Sequence, residues 1–125
     1  MGDCIETESV LEALRDMRPP FALYEADIHA MVGECLVSHG FACVHEARIG
    51  KGCRIDFLIG GIGVEIKKGK PSPTTLRKQL LRYAVCDALH SLIVVSQRSV
   101  SLPVEIAGKR VDVIALSQLW GVSLP

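Results

Sequence analysis

Three charged residues in the middle of the chain have the types and the spacing of a hydrolytic metal site. Asp56 lies in the segment RIDFLIGGIGVEIKKGK, and Glu65 and Lys67 follow a glycine pair, Gly60–Gly61, that predicts a tight turn between two strands. Carboxylates from neighbouring strands can approach closely enough to hold a divalent cation, and oxygen ligands of this kind suit Mg²⁺ or Mn²⁺. Lys67 stays beside Glu65 because side chains two positions apart share one face of a strand.

Such a set can hydrolyse a phosphodiester bond. In this interpretation Asp56 and Glu65 bind the metal, which polarises the phosphoryl oxygen and activates a water, and the backbone carbonyl of Ile66 adds a neutral oxygen ligand. Lys67 orients or helps to activate the water and neutralises developing charge. The alternative is an ordinary ion pair on a solvated hairpin, and the Glu65-Ile66-Lys67 triplet taken alone favours it.

Strand alternation predicts that the hairpin separates its charges from its apolar side chains. The predicted charged face carries Arg54, Asp56, Leu58, Glu65 and Lys67, and the predicted apolar face carries Ile55, Phe57, Ile59, Val64 and Ile66.

A helix predicted at about residues 23–39 adds a further acid. Its apolar stripe consists of Ile28, Val32, Cys35 and Leu36. At 100° per residue Glu25 falls in the middle of this stripe, where a carboxylate is costly unless it meets a cation or a metal. The alternative is an exposed residue at a fraying helix end. His29 lies at the edge of the stripe and could touch the site, and Glu46 is either a fourth acid of the site or a surface residue.

The following helix, predicted from Thr74 to about residue 89, presents Gln79 and Tyr83 on one face. They border the apolar stripe and could reach a bound phosphate or the lysine. The alternative is an ordinary amphipathic helix boundary, and the pair taken alone favours it. Between Glu65 and Asp87 the chain has no acid but six cations, and five of them could bind a DNA backbone although the net charge is zero: Lys68, Lys70, Arg77, Lys78 and Arg82. A solvated basic face is the alternative.

The order of predicted elements defines an α/β fold with a mixed β-sheet flanked by helices. Beyond the two helices above we predict a helix at 6–18, strands at 41–46, 54–59, 62–68, 91–96 and 111–115, a turn at 49–53 and a helical turn at 117–120. Three consecutive strands joined by short turns are antiparallel, and the strand that follows the helix can then pair in parallel.

Composition sets the broad class of the protein. A length of 125 residues, 49% of them hydrophobic, fits one domain spanning 1–125. Five cysteines without a CxxC pair speak against structural zinc and fit reduced thiols. The acidic N-terminus differs from a signal peptide, and the aliphatic block 92–95 is too short for a membrane span, so we expect a cytoplasmic protein without membrane contact.

The run Glu25, Asp56, Glu65-Ile66-Lys67 and Gln79-x-x-x-Tyr83 resembles the PD-(D/E)xK nuclease superfamily, most of all the QxxxY branch of RecB-like domains and small phage or mobile-element nucleases. The resemblance covers residues 24–96. It implies a restriction-endonuclease-like αβββαβ core, DNA cleavage and dependence on Mg²⁺, with Mn²⁺ able to substitute. One departure is Ile55, which stands where many members have proline.

The resemblance also implies a role for each matched residue. Glu25 would be the helix acid and a further metal ligand, Asp56 and Glu65 the main ligands, and Lys67 the catalytic lysine. The supporting helix pair would be Gln79 and Tyr83.

The expected function is therefore a metal-dependent deoxyribonuclease. The chain leaves no room for a recognition domain, so specificity would come from DNA structure, a homodimer or a partner protein docked on the N-terminal helix or on the extension 98–125. One alternative is a nuclease-fold module that binds nucleic acid without cutting it, or a partner-dependent subunit. Another is a structural protein of a mobile element. Endonucleolytic and exonucleolytic cutting both remain open.

Overall fold

The computed structural model describes residues 6–19 and 24–120. The helices are α1 (Thr7–Arg15), α2 (Glu25–Ser38), α3 (Pro73–Ala84) and α4 (Leu116–Trp120). The strands are β1 (Val44–Gly50), β2 (Cys53–Ile59), β3 (Ile62–Lys67), β4 (Ser91–Ser96), β5 (Glu105–Ile106) and β6 (Lys109–Ala115). Predictions for residues 1–5, 20–23 and 121–125, including Cys4 and the first residues of the helix at 23–39, lie outside the described residues.

The strands form one six-stranded sheet in the order β1-β2-β3-β4-β6-β5. β1, β2 and β3 are antiparallel neighbours, β4 is parallel to β3, and β6 is parallel to β4. This arrangement confirms the predicted α/β class and the mixed sheet flanked by helices. The short strand β5, which pairs antiparallel with β6, has no counterpart among the predicted elements.

Several predicted boundaries are wrong. β1 begins at Val44 and continues to Gly50, because Ile49 is buried and Gly50 still pairs with Cys53. The turn is confined to residues 51–52, where Gly52 has a φ of +70°. Helix α3 is capped two residues earlier than predicted and ends at Ala84.

The cap of α3 is Ser72 rather than Thr74. The Ser72 hydroxyl accepts a hydrogen bond from the backbone N–H of Thr75 at 3.3 Å. Pro73 occupies the first helical turn, where its missing N–H costs nothing. The helix that carries Gln79 is therefore fixed firmly at its start.

The sheet separates two apolar clusters. The cluster under α1 and α2 contains Val10, Leu11, Leu14, Met17, Ile28, Val32, Leu36, Phe57, Ile59, Ile62, Val64, Ile66, Ile93, Val95, Ile114 and Leu116. The cluster under α3 contains Ala47, Ile49, Ile55, Leu76, Leu80, Tyr83, Ala84, Leu89, Leu92, Val94, Val100, Ile106 and Val111. Every residue of β4 is buried, as expected for a strand covered on both faces.

The N-terminal helix and the described part of the extension 98–125, the two segments proposed as partner surfaces, contribute their apolar faces to these clusters. Val10, Leu11 and Leu14 of α1 have no exposed surface, and β6 completes the sheet beside β4. Those faces are therefore occupied inside the fold.

Among the helices of the described ranges, none combines the length and the apolar character that a membrane crossing requires.

Candidate active site

The regular alternation of β2 stops at Asp56. The β1–β2 pairs His45↔Phe57 and Ala47↔Ile55 lie on either side of it, and the β2–β3 pairing extends only as far as Phe57↔Val64. Phe57 packs in the cluster under α2, whereas Ile55 packs in the cluster under α3.

The prediction that Ile55, Phe57 and Ile59 share one face, opposite Arg54, Asp56 and Leu58, is therefore wrong. Leu58 packs with Ile55 against the α3 cluster. The physical reason is that β2 and β3 separate at Asp56, so that a side chain replaces backbone pairing there. This separation creates the opening in which the site lies.

Asp56 fills the opening between the two strands. Its Oδ2 accepts a hydrogen bond of 2.7 Å from the backbone N–H of Ile66. Its Oδ1 lies 3.9 Å from Nε2 of His29, and 22% of the side chain is exposed. One oxygen is thus fixed by β3, and the other remains accessible to a ligand. The structure shows the N–H of Ile66 in contact with Asp56, and a ligand role for the Ile66 carbonyl stays a prediction.

Glu65 is the most deeply buried charged group of the site. Its Oε2 lies 3.4 Å from Nζ of Lys67 and accepts a hydrogen bond of 3.0 Å from Nε2 of Gln79. Its Oε1 is buried and has no hydrogen-bond partner among the residues that the structure describes. Burial first and the charge of Asp56 second raise the pKa of Glu65 to about 7, against the opposing effect of Lys67.

Helix α3 supports Glu65 through two polar side chains. Gln79 contacts the hydroxyl of Tyr83 at 2.9 Å, and that hydroxyl donates to the backbone carbonyl of Arg54 at 3.0 Å. Burial, with a smaller effect from Glu65, raises the pKa of Tyr83 to about 12, so the phenol stays neutral. A continuous chain of contacts thus joins β2, α3 and β3, and the structure brings together Asp56, Glu65, Lys67, Gln79 and Tyr83.

Glu25 occupies a different position from the one its stripe predicts. It is the first residue of α2, its side chain is 61% exposed, and its Oε2 lies 3.7 Å from Nε2 of His29. The helix-end alternative therefore describes its exposure correctly. His29, for which the sequence left the role open, is the residue that links Glu25 to Asp56.

A second group of side chains lies on the α2 side of the opening. His45 stacks on Phe57 with a centroid distance of 4.6 Å and an interplanar angle of 18°, and its Nε2 lies 3.3 Å from Nδ1 of His29. Glu46 is exposed and contacts Arg54 at 3.7 Å. From the sequence a structural role is expected for His45, because His39 and His45 are not at metal-ligand spacing, and the stack on Phe57 follows from the β1–β2 pair that His45 and Phe57 form.

The predicted DNA-binding cations surround α3 instead of forming one row. Lys68 lies over the ring of Tyr24, 5.6 Å from its centroid. Arg77 and Lys78 border a cleft of about 500 Å³ between α3 and residues 103–107. Since Arg77 is about 200° of helix rotation from Gln79, it faces away from the carboxylates. Lys67 is the cation that the structure places against Glu65, and all five predicted contact cations are exposed: Lys68, Lys70, Arg77, Lys78 and Arg82.

The donor set fits a hard divalent cation, although the ligands are not fully assembled. Within residues 6–19 and 24–120, no three His, Cys, Asp or Glu side chains are already gathered at coordination distances. The unpartnered Oε1 of Glu65 nevertheless lies buried beside a second carboxylate, an arrangement that a cation would stabilise. Comparison of the chain with protein-family models, curated proteins and solved structures gives no match.

Proposed function

We propose that the protein is a metal-dependent deoxyribonuclease of the PD-(D/E)xK type. The observation that carries the proposal is the buried Glu65 carboxylate. One of its oxygens is held by Lys67 and Gln79, and the other has no hydrogen-bond partner in the part of the chain that the structure describes. A buried carboxylate oxygen of this kind requires a proton, a donor or a cation. The neighbouring charge of Asp56 raises the pKa of Glu65 to about 7, and above that pH a cation would neutralise the two carboxylates together.

Asp56 and Glu65 would hold Mg²⁺, with Mn²⁺ able to replace it. The bound cation would supply Lewis-acid activation of the phosphoryl group and a more acidic water. The N–H of Ile66 fixes one oxygen of Asp56, so that the other can point into the opening. Gln79 and Tyr83 hold Glu65 in place, and Lys67 supplies a positive charge within 3.4 Å of it. Lys67 is thus positioned to orient the attacking water or to stabilise the phosphorane-like charge.

The arrangement of elements supports the same assignment. From α2 through β4 the order is helix, three antiparallel strands, helix and parallel strand, which is the αβββαβ order of a restriction-endonuclease-like core. The substrate would be DNA, contacted through the exposed cations of residues 67–82. Specificity for a DNA substrate would come from DNA structure, from a homodimer or from a partner protein. The enzyme would act in the cytoplasm.

One observation favours a second candidate. Lys67 already forms an ion pair with Glu65, and the described part of the chain has no assembled three-ligand set, as in a nuclease fold that binds nucleic acid without cutting it. This alternative predicts DNA binding that persists in EDTA.

The test is cleavage of plasmid, linear, single-stranded and branched DNA in Mg²⁺, Mn²⁺ or EDTA. The variants are Asp56→Asn and Lys67→Ala, and the matched controls are Glu12→Gln and Lys51→Ala, which change an exposed acid and an exposed lysine elsewhere. We expect metal-dependent cutting by the wild type and both controls and none by the two site variants. Binding without cutting in any metal, with the fold intact, would replace the proposal with the non-catalytic alternative.

A further inference from the structure

The two histidines on the α2 side of the opening form a pair that the proposed reaction does not use. Nδ1 of His29, on α2, lies 3.3 Å from Nε2 of His45, on β1. Two nitrogens each bound at about 2.0–2.1 Å to a tetrahedral zinc ion lie roughly 3.3 Å apart. The two rings therefore already have the separation of two ligands to a d-block cation.

The surroundings of His29 match those of a metal-binding histidine. A histidine that binds a metal through one ring nitrogen usually donates its other N–H to a carboxylate. Nε2 of His29 faces two carboxylates, those of Glu25 at 3.7 Å and Asp56 at 3.9 Å. A proton held on Nε2 leaves the lone pair of Nδ1 free, and that lone pair points toward His45.

Glu46 can complete the set. Its Oε2 lies 4.0 Å from Nε2 of His45, and its side chain is 56% exposed, so the carboxylate is free to turn from Arg54 toward the two rings. Its backbone has a φ of +53°, a conformation that a glutamate rarely adopts outside a constrained or functional position. The stacking of His45 on Phe57 holds the imidazole ring of His45, which lies next to Glu46, in one orientation.

An open cleft gives access to these groups. It has a volume of about 680 Å³ and is lined by residues from α2, β1 and β2, among them His29, His45 and Glu46. We propose that His29, His45 and Glu46 form a second cation site, distinct from the Asp56–Glu65 pair and selective for Zn²⁺-like ions over Mg²⁺. Imidazole ligands favour zinc, cobalt and nickel, and three protein ligands leave one position for water. Occupancy would tie α2 to the edge strand β1.

The test is titration of the reduced protein with Co²⁺, followed by visible absorption and by competition with Zn²⁺. The wild type should develop the absorption of one tetrahedral nitrogen–oxygen Co²⁺ site without thiolate charge-transfer bands, which excludes the cysteines. Co²⁺ held by the oxygen ligands of Asp56 and Glu65 would be octahedral and would absorb far more weakly. His45→Phe keeps an aromatic ring on Phe57 but removes the ligand nitrogen, and should weaken Co²⁺ binding at least tenfold. Glu46→Gln should weaken it less.

Two further variants serve as controls. His90→Ala removes an exposed histidine elsewhere, and Glu65→Gln removes the carboxylate central to the proposed nuclease. Both should bind Co²⁺ like the wild type, so this site and the nuclease proposal can fail independently. No uptake by the wild type would show that the two histidines only share a hydrogen bond. Equal uptake by His45→Phe, with the fold verified by circular dichroism, would also overturn the proposal.

Discussion

The two sides of the opening at Asp56 hold their polar groups very differently. On the α3 side, Glu65, Gln79 and Tyr83 are joined by contacts of 2.9–3.0 Å and are largely buried. On the α2 side, Glu25, His29 and His45 meet at 3.3–3.7 Å, and Glu25 and His45 are more than half exposed. The α3 side therefore fixes the carboxylate that the proposed chemistry needs, whereas the longer contacts and greater exposure of the α2 side leave its side chains room to adjust.

The largest expected effect on DNA cleavage comes from substituting Glu65, the central carboxylate of the buried α3 side. Glu65→Gln keeps the size of the side chain and removes the negative charge that would hold a divalent cation. We expect metal-dependent DNA cleavage to fall by at least about 10²–10³-fold, the scale of losing one preorganised electrostatic group in an active site. Initial rates under excess Mg²⁺ measure it, with Glu12→Gln as the control. Full activity of Glu65→Gln would place the chemistry elsewhere.

The same carboxylate makes the stability of the folded protein depend on pH. The pKa of Glu65 is about 7 in the folded protein against 4.5 as its ordinary value, so between these values the folded state binds more protons than the unfolded state. The free energy of unfolding therefore decreases as pH rises from about 4.5 to about 7, by at most roughly 3 kcal/mol, and then levels off.

Urea denaturation between pH 4.5 and 8 without divalent cations tests this dependence. The decrease should be present in the wild type and mostly absent in Glu65→Gln. Identical curves for the two proteins would mean that Glu65 is ionised normally in the fold.

A smaller loss should follow from breaking the support of Glu65. Tyr83→Phe removes the hydroxyl that joins Gln79 to the carbonyl of Arg54, and leaves both groups short of a partner. We expect a destabilisation of about 1–3 kcal/mol and an activity loss of about 10–100-fold, because Glu65 is then held less firmly. Thr75→Ala, which changes an exposed residue of the same helix, is the control. Unchanged stability and activity of Tyr83→Phe would remove α3 from the site.

The smallest expected effect on DNA cleavage comes from substituting Glu25, on the exposed α2 side. Glu25 is exposed and reaches Asp56 only through His29, so Glu25→Gln should lower cleavage by about tenfold or less. Cleavage rates at saturating and at limiting Mg²⁺ measure it. A loss as large as that of Glu65→Gln would show that Glu25 turns inward and binds the metal directly.

The sequence indicated the α3 side well and the α2 side poorly. Glu65 and Lys67 follow from strand spacing, and Gln79 with Tyr83 from helical spacing, because both patterns are local. Asp56 lies where the predicted alternation of β2 fails. The separation of β2 from β3 at Asp56, the positive φ of Glu46 and the stacking of His45 on Phe57 depend on how three strands pair. No local pattern encodes that pairing.

The fold shows the same division between local and tertiary information. The order of helices and strands and the mixed sheet could be predicted from hydrophobic periodicity and glycine turns. The extension of β1 to Gly50 depends on burial of Ile49 under α3, and the two-residue strand β5 depends on β6 beside it. Both are tertiary effects.

Calorimetric titration with Mg²⁺ at pH 6 and at pH 8 tests whether Glu65 and Asp56 together hold a divalent cation. At pH 6 most of the Glu65 carboxyl is protonated because its pKa is about 7, so Mg²⁺ must displace a proton. The wild type should bind Mg²⁺ about tenfold more weakly at pH 6 than at pH 8 and should release a proton on binding at the lower pH. Glu65→Gln should lose Mg²⁺ binding. Binding that is equal at both pH values and retained by Glu65→Gln would contradict the proposed cation site.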